Sequence, residues 1–379
     1  MTASEADHRP KAIRAVDRAG LNTHLLDELE KLPNVTFHFH HKLTGADYNR
    51  NLAWFQPKSS SSSSEPEPET EIPFTFLIGA DGAHSSVRYH LMKYARIDYA
   101  QSYISSLWCE FRIPPSPSPS ASPIHHPFLL SPNHLHIWPG GDKMFIAIPS
   151  LDHSFTCTLF LPSEHFTRLA DSPSSALHSF FAENFPGVSP NLISPSDLEA
   201  QFNTNPHLPL ISIKTTPYHY SSSVVILGDA AHAMVPFYGQ GMNAGLEDVR
   251  VLYEHLDRHP STPEGRASAL QAYTTERTPD AHTINDLAMG NYEEMAHGVV
   301  DRGYRVRKAV EEWVSRTVPA LGWRTQYSRV SFGNERYSVV KAEVERQGQL
   351  LVWGLAGGIV GVMSIVGAVG WRLYTSSRR

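Results

Sequence analysis

Residues 224 to 249, VVILGDAAHAMVPFYGQGMNAGLEDV, constrain this chain more than any other stretch. Val224 to Leu227 are continuously apolar, as a parallel strand covered on both faces requires. Gly228-Asp229 ends the strand, and open α/β sheets bind ligands beyond the carboxyl ends of their strands. A carboxylate there can accept hydrogen bonds from sugar-like hydroxyls; the plainer alternative is an Asp that caps the next helix. Pro236 to Gly241 reads as a loop, and a helix is expected to begin near Met242. Gly239, Gly241 and Gly245 allow backbone to approach a flat ligand closely. Unsatisfied N–H groups at the helix start, reinforced by its dipole, would face negative charge.

A flat ligand with hydroxyls on one arm and charge on one ring edge meets all these conditions. FAD is such a ligand, with Asp229 on its ribityl chain and the helix start at its ring. FLIGADGAHSSVR is the companion stretch. Phe76 to Ala80 read as a strand, Asp81-Gly82 as a turn, and Ser85-Ser86 as the opening of a helix that carries Arg88. A lone Asp-Gly turn is common, but the two motifs together form a joint signal.

Between them, about Tyr99 to Leu210, the chain is mostly strand-like: YISSLWCEFRI, LHIWP, KMFIAIP, FTCTLFLP. The expected organisation is therefore discontinuous. Residues 1–98 and 211–290 form one nucleotide-binding α/β domain, 99–210 an inserted antiparallel substrate domain, and 291–347 a helical C-terminal region. Upstream, Arg18 to Lys31 begins a leucine stripe through Leu21, Leu25, Leu29 and Leu32, and VTFHFHHKL (35–43) reads as a strand. Two Ser/Pro tracts, at 59–71 and 114–123, read as a flexible loop and a hairpin insertion.

Net charge is -6 with dispersed basic residues, which argues against nucleic acid as a partner. Two cysteines, Cys109 and Cys157, are too few for a disulfide framework, and the 21 histidines show no metal-ligand spacing; no metal is expected. The N-terminus has no apolar run of signal-peptide length. Leu350 to Trp371 carry no charge over about 22 residues, enough to cross ~30 Å of hydrocarbon. Trp353 and Trp371 sit near its ends and Arg372, Arg378 and Arg379 follow, a tail-anchor pattern whose alternative is a buried core helix. Gly357-x-x-x-Gly361 within it is a weak homodimer signal.

DRAGLNTHLLDELEKLPNV, GADGAHSSVRYHLMK with IDYAQSYI, and GDAAHAMVPFYGQGMNAGLEDV together resemble the FAD-dependent aromatic hydroxylases, the single-component flavoprotein monooxygenases. NYEEM, RVSFGNERY and the apolar tail extend the likeness to nearly the whole chain, most closely to the branch that acts on kynurenine. The resemblance implies a Rossmann-like FAD domain and flavin contacts at Arg18, Leu43, Asp81, Ser86, Asp229, Gly241, Met242 and Asn243. It implies substrate contacts at Pro236, Phe237 and Tyr337, and places Val300 where the family has a substrate-contacting Asn. It further implies NADPH-dependent hydroxylation of a small aromatic amino acid by O2, with no catalytic side chain because the flavin does the chemistry. A mitochondrial outer membrane location follows from the same likeness.

The family's Gly-x-Gly-x-x-Gly helix start has no counterpart before Arg18, so an N-terminally incomplete FAD domain with impaired activity is expected. Two other readings stay open here: a flavin hydroxylase of a quinone precursor or another aromatic acid, and an inactive membrane-anchored interaction protein.

Overall fold

The structure, a computed structural model, describes residues 13–58, 68–117, 127–295 and 324–350, with the single positions 309 and 317. It divides into two units, Met1–Arg305 and Val306–Arg379. In the first, α1 (Arg18–Glu30) starts where the Asp17 carboxylate accepts the Gly20 N–H at 2.6 Å. None of its residues is buried. The leucine stripe therefore faces outward, with Leu25 and Leu29 exposed and Leu32 beyond the helix end.

An antiparallel meander follows: β1 (His41–Asp47), β2 (Leu52–Pro57) and β3 (Thr70–Pro73), in that order. The strand expected over 35–43 is displaced, since pairing begins only at His41↔Pro57 and runs to Asp47↔Leu52. Residues 35–40 find no ladder partner among the described residues, and His40 turns with a positive φ of 59°. Strand propensity without a partner backbone leaves N–H and C=O groups unpaired, so the ladder sets the boundary. The meander docks through Tyr48, whose hydroxyl donates to the Val87 carbonyl (3.0 Å).

The two α/β pieces meet where β4 (Leu77–Gly79) pairs in parallel with β11 (Val224–Ile226). The short β10 (His219–Tyr220) completes this sheet in the order β10-β11-β4. Against it pack α2 (Ser86–Tyr94), α6 (Asp229–His232), α7 (Gly241–Arg258) and the 31-residue α8 (Pro263–Glu293). Their shared core includes Val87, Leu91, the three β11 residues, Leu252, Leu270 and Tyr273. Gly79 is required here, because a Cβ would stand 2.7 Å from the Val87 side chain.

The insert is a five-stranded antiparallel sheet, β6-β7-β8-β5-β9. Its strands are β5 (Asp98–Ile113), β6 (His136–Pro139), β7 (Met144–Pro149), β8 (Phe155–Pro162) and β9 (Leu208–Thr216). It runs to Thr216, six residues past Leu210. It is also not strand alone: α3 (Ser163–Ala170), α4 (Ser174–Asn184) and α5 (Pro195–Thr204) stand between β8 and β9. The sheet needs an apolar cover for one face, and Phe166, Leu177, Phe181, Leu198 and Phe202 supply it against Phe111, Phe145 and Phe155.

In the second unit a short helix spans Gln326–Phe332, and residues 337–350 are helical. Among the described residues no helix is long and apolar enough to cross a membrane. The tail-anchor run lies outside the described residues beyond Leu350, as does Val300.

Candidate flavin site

Ile226 pairs with Gly79, so both turns leave the sheet at the same carboxyl edge. Asp81 follows Gly79 by two residues and Asp229 follows Ile226 by three. Gly228 makes the second turn with φ 58° and ψ −142°, a conformation essentially restricted to glycine. Asp229 becomes the first residue of α6 with Gly228 as the cap, which corrects the helix-capping alternative. Its side chain is exposed and makes no hydrogen bond among the described residues.

Pro236–Tyr238 form a single 3-10 turn where a loop was expected, because Gly239 closes it in the left-handed region at φ 68°. Helix α7 then begins at Gly241, with Gln240 at the cap position and no side-chain hydrogen bond to the helix's first N–H groups. The first intrahelical bond runs from the Ala244 N–H to the Gln240 carbonyl (2.8 Å). The N–H groups of Gly241, Met242 and Asn243 precede it and carry the positive end of an 18-residue helix. Met242 and Asn243 are exposed, and the Asn243 amide donates to Gln240 Oε1 (3.0 Å). Helix α7 meets the Asp229 turn at Gly245, where a Cβ would stand 3.6 Å from the Gly228 Cα, an ordinary van der Waals contact.

A buried charged network holds that approach. Asp248, fully buried on α7, accepts the Gly228 N–H at 2.8 Å and the His232 Nε2–H at 2.6 Å on Oδ2. Arg277 of α8 donates from Nε to Asp248 Oδ1 (2.8 Å) and from Nη1 to Glu247 Oε2 (2.9 Å). Burial alone would raise the Asp248 carboxyl, but His232, Arg277 and the Gly228 N–H outweigh it and hold it below the usual carboxylate range. The sequence reading assigned none of His232, Asp248 or Arg277. The available signal was an acidic pair, Glu247-Asp248, closing an otherwise small and apolar helix start.

The Asp81 turn is built differently. Asp81 accepts Ser85 Oγ–H (2.5 Å), Ser86 N–H (2.7 Å) and Val87 N–H (3.1 Å), so its carboxylate is spent on the start of α2. Arg88, also unassigned from sequence, joins the two turns. Its guanidinium donates to the Ala83 carbonyl (2.6 Å) and the Ala230 carbonyl (2.7 Å). A recess of about 300 Å³ opens beside α2, lined by His84, Ser86, Arg88, Tyr89 and Tyr99; neither Asp229 nor α7 lines it.

The other sequence candidates are dispersed. Leu43 is half-buried in β1 against the nucleotide-domain core. Arg18 is exposed on α1 and makes no side-chain hydrogen bond or ion pair among the described residues. Pro236 is exposed and Phe237 buried. Tyr337 is buried within the second unit. Cys109 and Cys157 are free, and burial pushes both thiols up to about 12, so neither is a ready nucleophile.

The donor set fits a flavin at its ring and ribityl end. Asp229 is a bare acceptor for hydroxyls, and the uncapped N–H groups of α7 suit the anionic edge of a reduced ring. A family model described as an FAD binding domain matches residues 1–288. Kynurenine 3-monooxygenase of Neurospora crassa is 57% identical over 387 residues, covering 98% of this chain and 75% of that protein. Its namesake from Aspergillus terreus is 55% identical over 375 residues, covering 97% and 73%. The chain belongs to the kynurenine 3-monooxygenase family. Solved structures agree on an α/β FAD-binding monooxygenase fold. Klebsiella pneumoniae HpxO, complexed with FAD and uric acid, matches at TM-score 0.51 and 19% identity over 81% of this chain and 69% of its own. The tetrameric form of 2-methyl-3-hydroxypyridine-5-carboxylic acid oxygenase gives 0.51 and 17% over 73% and 67%.

Proposed function

We propose that this chain hydroxylates L-kynurenine to 3-hydroxykynurenine with FAD, NADPH and O2. The single observation that carries the reading is the bare Asp229 carboxylate beside the uncapped start of α7, held together by Asp248. It stands in a chain 54–57% identical to kynurenine 3-monooxygenases. Neither the quinone-precursor reading nor the inactive reading is favoured by these relatives.

FAD, when bound, supplies the oxygen-transfer chemistry, with NADPH as the source of electrons. The protein's part is placement, electrostatics and exclusion of water. Asp229 accepts from the ribityl hydroxyls. The N–H groups of Gly241, Met242 and Asn243 meet charge on the ring, while Arg18, Leu43, Asp81 and Ser86 are cofactor contacts by family likeness alone. Pro236 and Phe237 offer an apolar wall to an aromatic substrate. Residues 350–371 anchor the chain to a membrane, the mitochondrial outer membrane by family likeness, and Gly357 and Gly361 support weak self-association there.

The test is the full chain in lipid with FAD, NADPH and a panel of aromatic acids. Formation of 3-hydroxykynurenine, with NADPH oxidation stimulated by kynurenine and not by hydroxybenzoates, is the expected result. Stimulation by a hydroxybenzoate instead would refute the substrate assignment. For the anchor, removal of residues from Leu350 onward should move the protein from the membrane fraction to the soluble fraction. Equal partitioning of both forms would end that part of the proposal.

A further inference from the structure

Phe237 is gripped from two elements, β8 and α8, by contacts that flavin binding does not explain. Its ring lies between Phe160 of β8 (centroids 4.9 Å) and Tyr292 at the end of α8 (4.6 Å). Its carbonyl accepts the Asn291 amide at 2.6 Å. The Tyr292 hydroxyl in turn bonds Ser106 Oγ at 2.8 Å. Ser106 is buried in β5 within an irregular stretch, where the β9 register jumps between Tyr103↔Ile211 and Leu107↔Pro209. Such irregularities re-aim side chains that a regular ladder would place elsewhere. Helix α8 also changes character here, passing into π-type turns at 294–295, a feature enriched at functional sites.

We infer that Asn291, Tyr292 and Ser106 are positioning residues that set the aromatic wall against which the substrate ring lies. The assignment rests on the reading of Pro236–Phe237 as substrate-facing. An aromatic ring recognises its partner through offset or edge contacts, so its tilt decides which flat substrates fit. The tilt of Phe237 follows from the Phe160 and Tyr292 rings packed on it, so whatever holds those rings holds Phe237. The Asn291 amide fixes its backbone, and the Tyr292–Ser106 bond fixes the ring tilted against it at 38°. The bond also ties the insert to the carboxyl end of α8, across 186 residues of sequence. The ligand class is an aromatic amino acid whose ring enters beside Phe237.

Calorimetric titration of the full chain with L-kynurenine, at saturating FAD, tests this. Tyr292→Phe and Ser106→Ala each delete the same neutral hydrogen bond while keeping the local shape. Each should raise Kd about fivefold with an unchanged number of sites per chain. The double variant should be no worse than either single one, because both remove one interaction. Unchanged Kd in the single variants, additive losses in the double, or fewer sites at unchanged Kd would each overturn the positioning role. Wild-type chain that does not bind kynurenine would instead overturn the substrate reading itself, and this assignment with it.

Discussion

The two turns at the carboxyl edge of the parallel pair share a sequence style and divide the labour. Asp81 places both carboxylate oxygens on the first residues of α2. Asp229 places neither on the protein, and its turn is held by a carboxylate borrowed from α7, Asp248. A side chain that must greet a ligand cannot also satisfy its own backbone. The free site therefore needs an outside support, and the self-supporting site has little left to offer a ligand. Arg88 links the two by donating to one carbonyl in each.

Removing the outside support should have the largest effect. Asp248→Ala removes the fully buried carboxylate shared by Gly228, His232 and Arg277 and leaves Arg277 only its Glu247 and Asp280 partners, which costs about 3–5 kcal/mol, measurable by urea denaturation. A loss under about 1 kcal/mol would show that the Asp229 turn stands alone. The same carboxyl gives an acid signature. Its folded pKa lies below the ordinary value, so its stabilisation is present above about pH 4 and is lost as pH falls towards the folded value. Asp248→Asn should lack that component of acid unfolding while Asp81→Asn retains it.

The next effect separates the two aspartates by what they act on. Asp229→Ala should weaken FAD binding by about 1.5–3 kcal/mol, one charge-assisted contact, and leave the urea midpoint nearly unchanged. Fluorescence titration of the flavin reads the first quantity. A shifted midpoint with unaltered FAD affinity would reverse the comparison. Asp81→Ala is the smallest and opposite case. It should lower stability by about 1–2 kcal/mol through the exposed start of α2, with any change in FAD affinity smaller than that of Asp229→Ala.

The sequence showed the free turn more clearly than its support. Gly228, the apolar β11 and the glycines before α7 act through local conformation, which neighbouring residues reveal. Strands β5 to β8 were visible for the same reason, as short apolar runs between Gly, Pro and Asp turns. His232, Asp248 and Arg277 were not, because their meaning lies in contacts between helices and each alone reads as an ordinary polar residue. Helices α3 to α5 were passed over because their phenylalanines fit a strand-like composition until the sheet face they cover is known. Strand β1 was placed too early for a related reason: VTFHFHHKL has strand propensity throughout, but only the pairing with β2 says where the strand starts.

One feature of the insert bears on how the parallel pair forms at all. Strand β5 opens and β9 closes with Asp98 paired to Thr216, so the chain leaves and re-enters the nucleotide domain one strand spacing apart. Once that ladder exists, β4 and β11 are separated by a chain path roughly fivefold shorter than their distance in sequence. Closing the shorter path lowers the entropic cost of bringing the strands together by about 1.4 kcal/mol. The insert thus acts as a clasp: changes inside it that spare the Asp98–Thr216 end leave the ease of assembling the parallel pair intact.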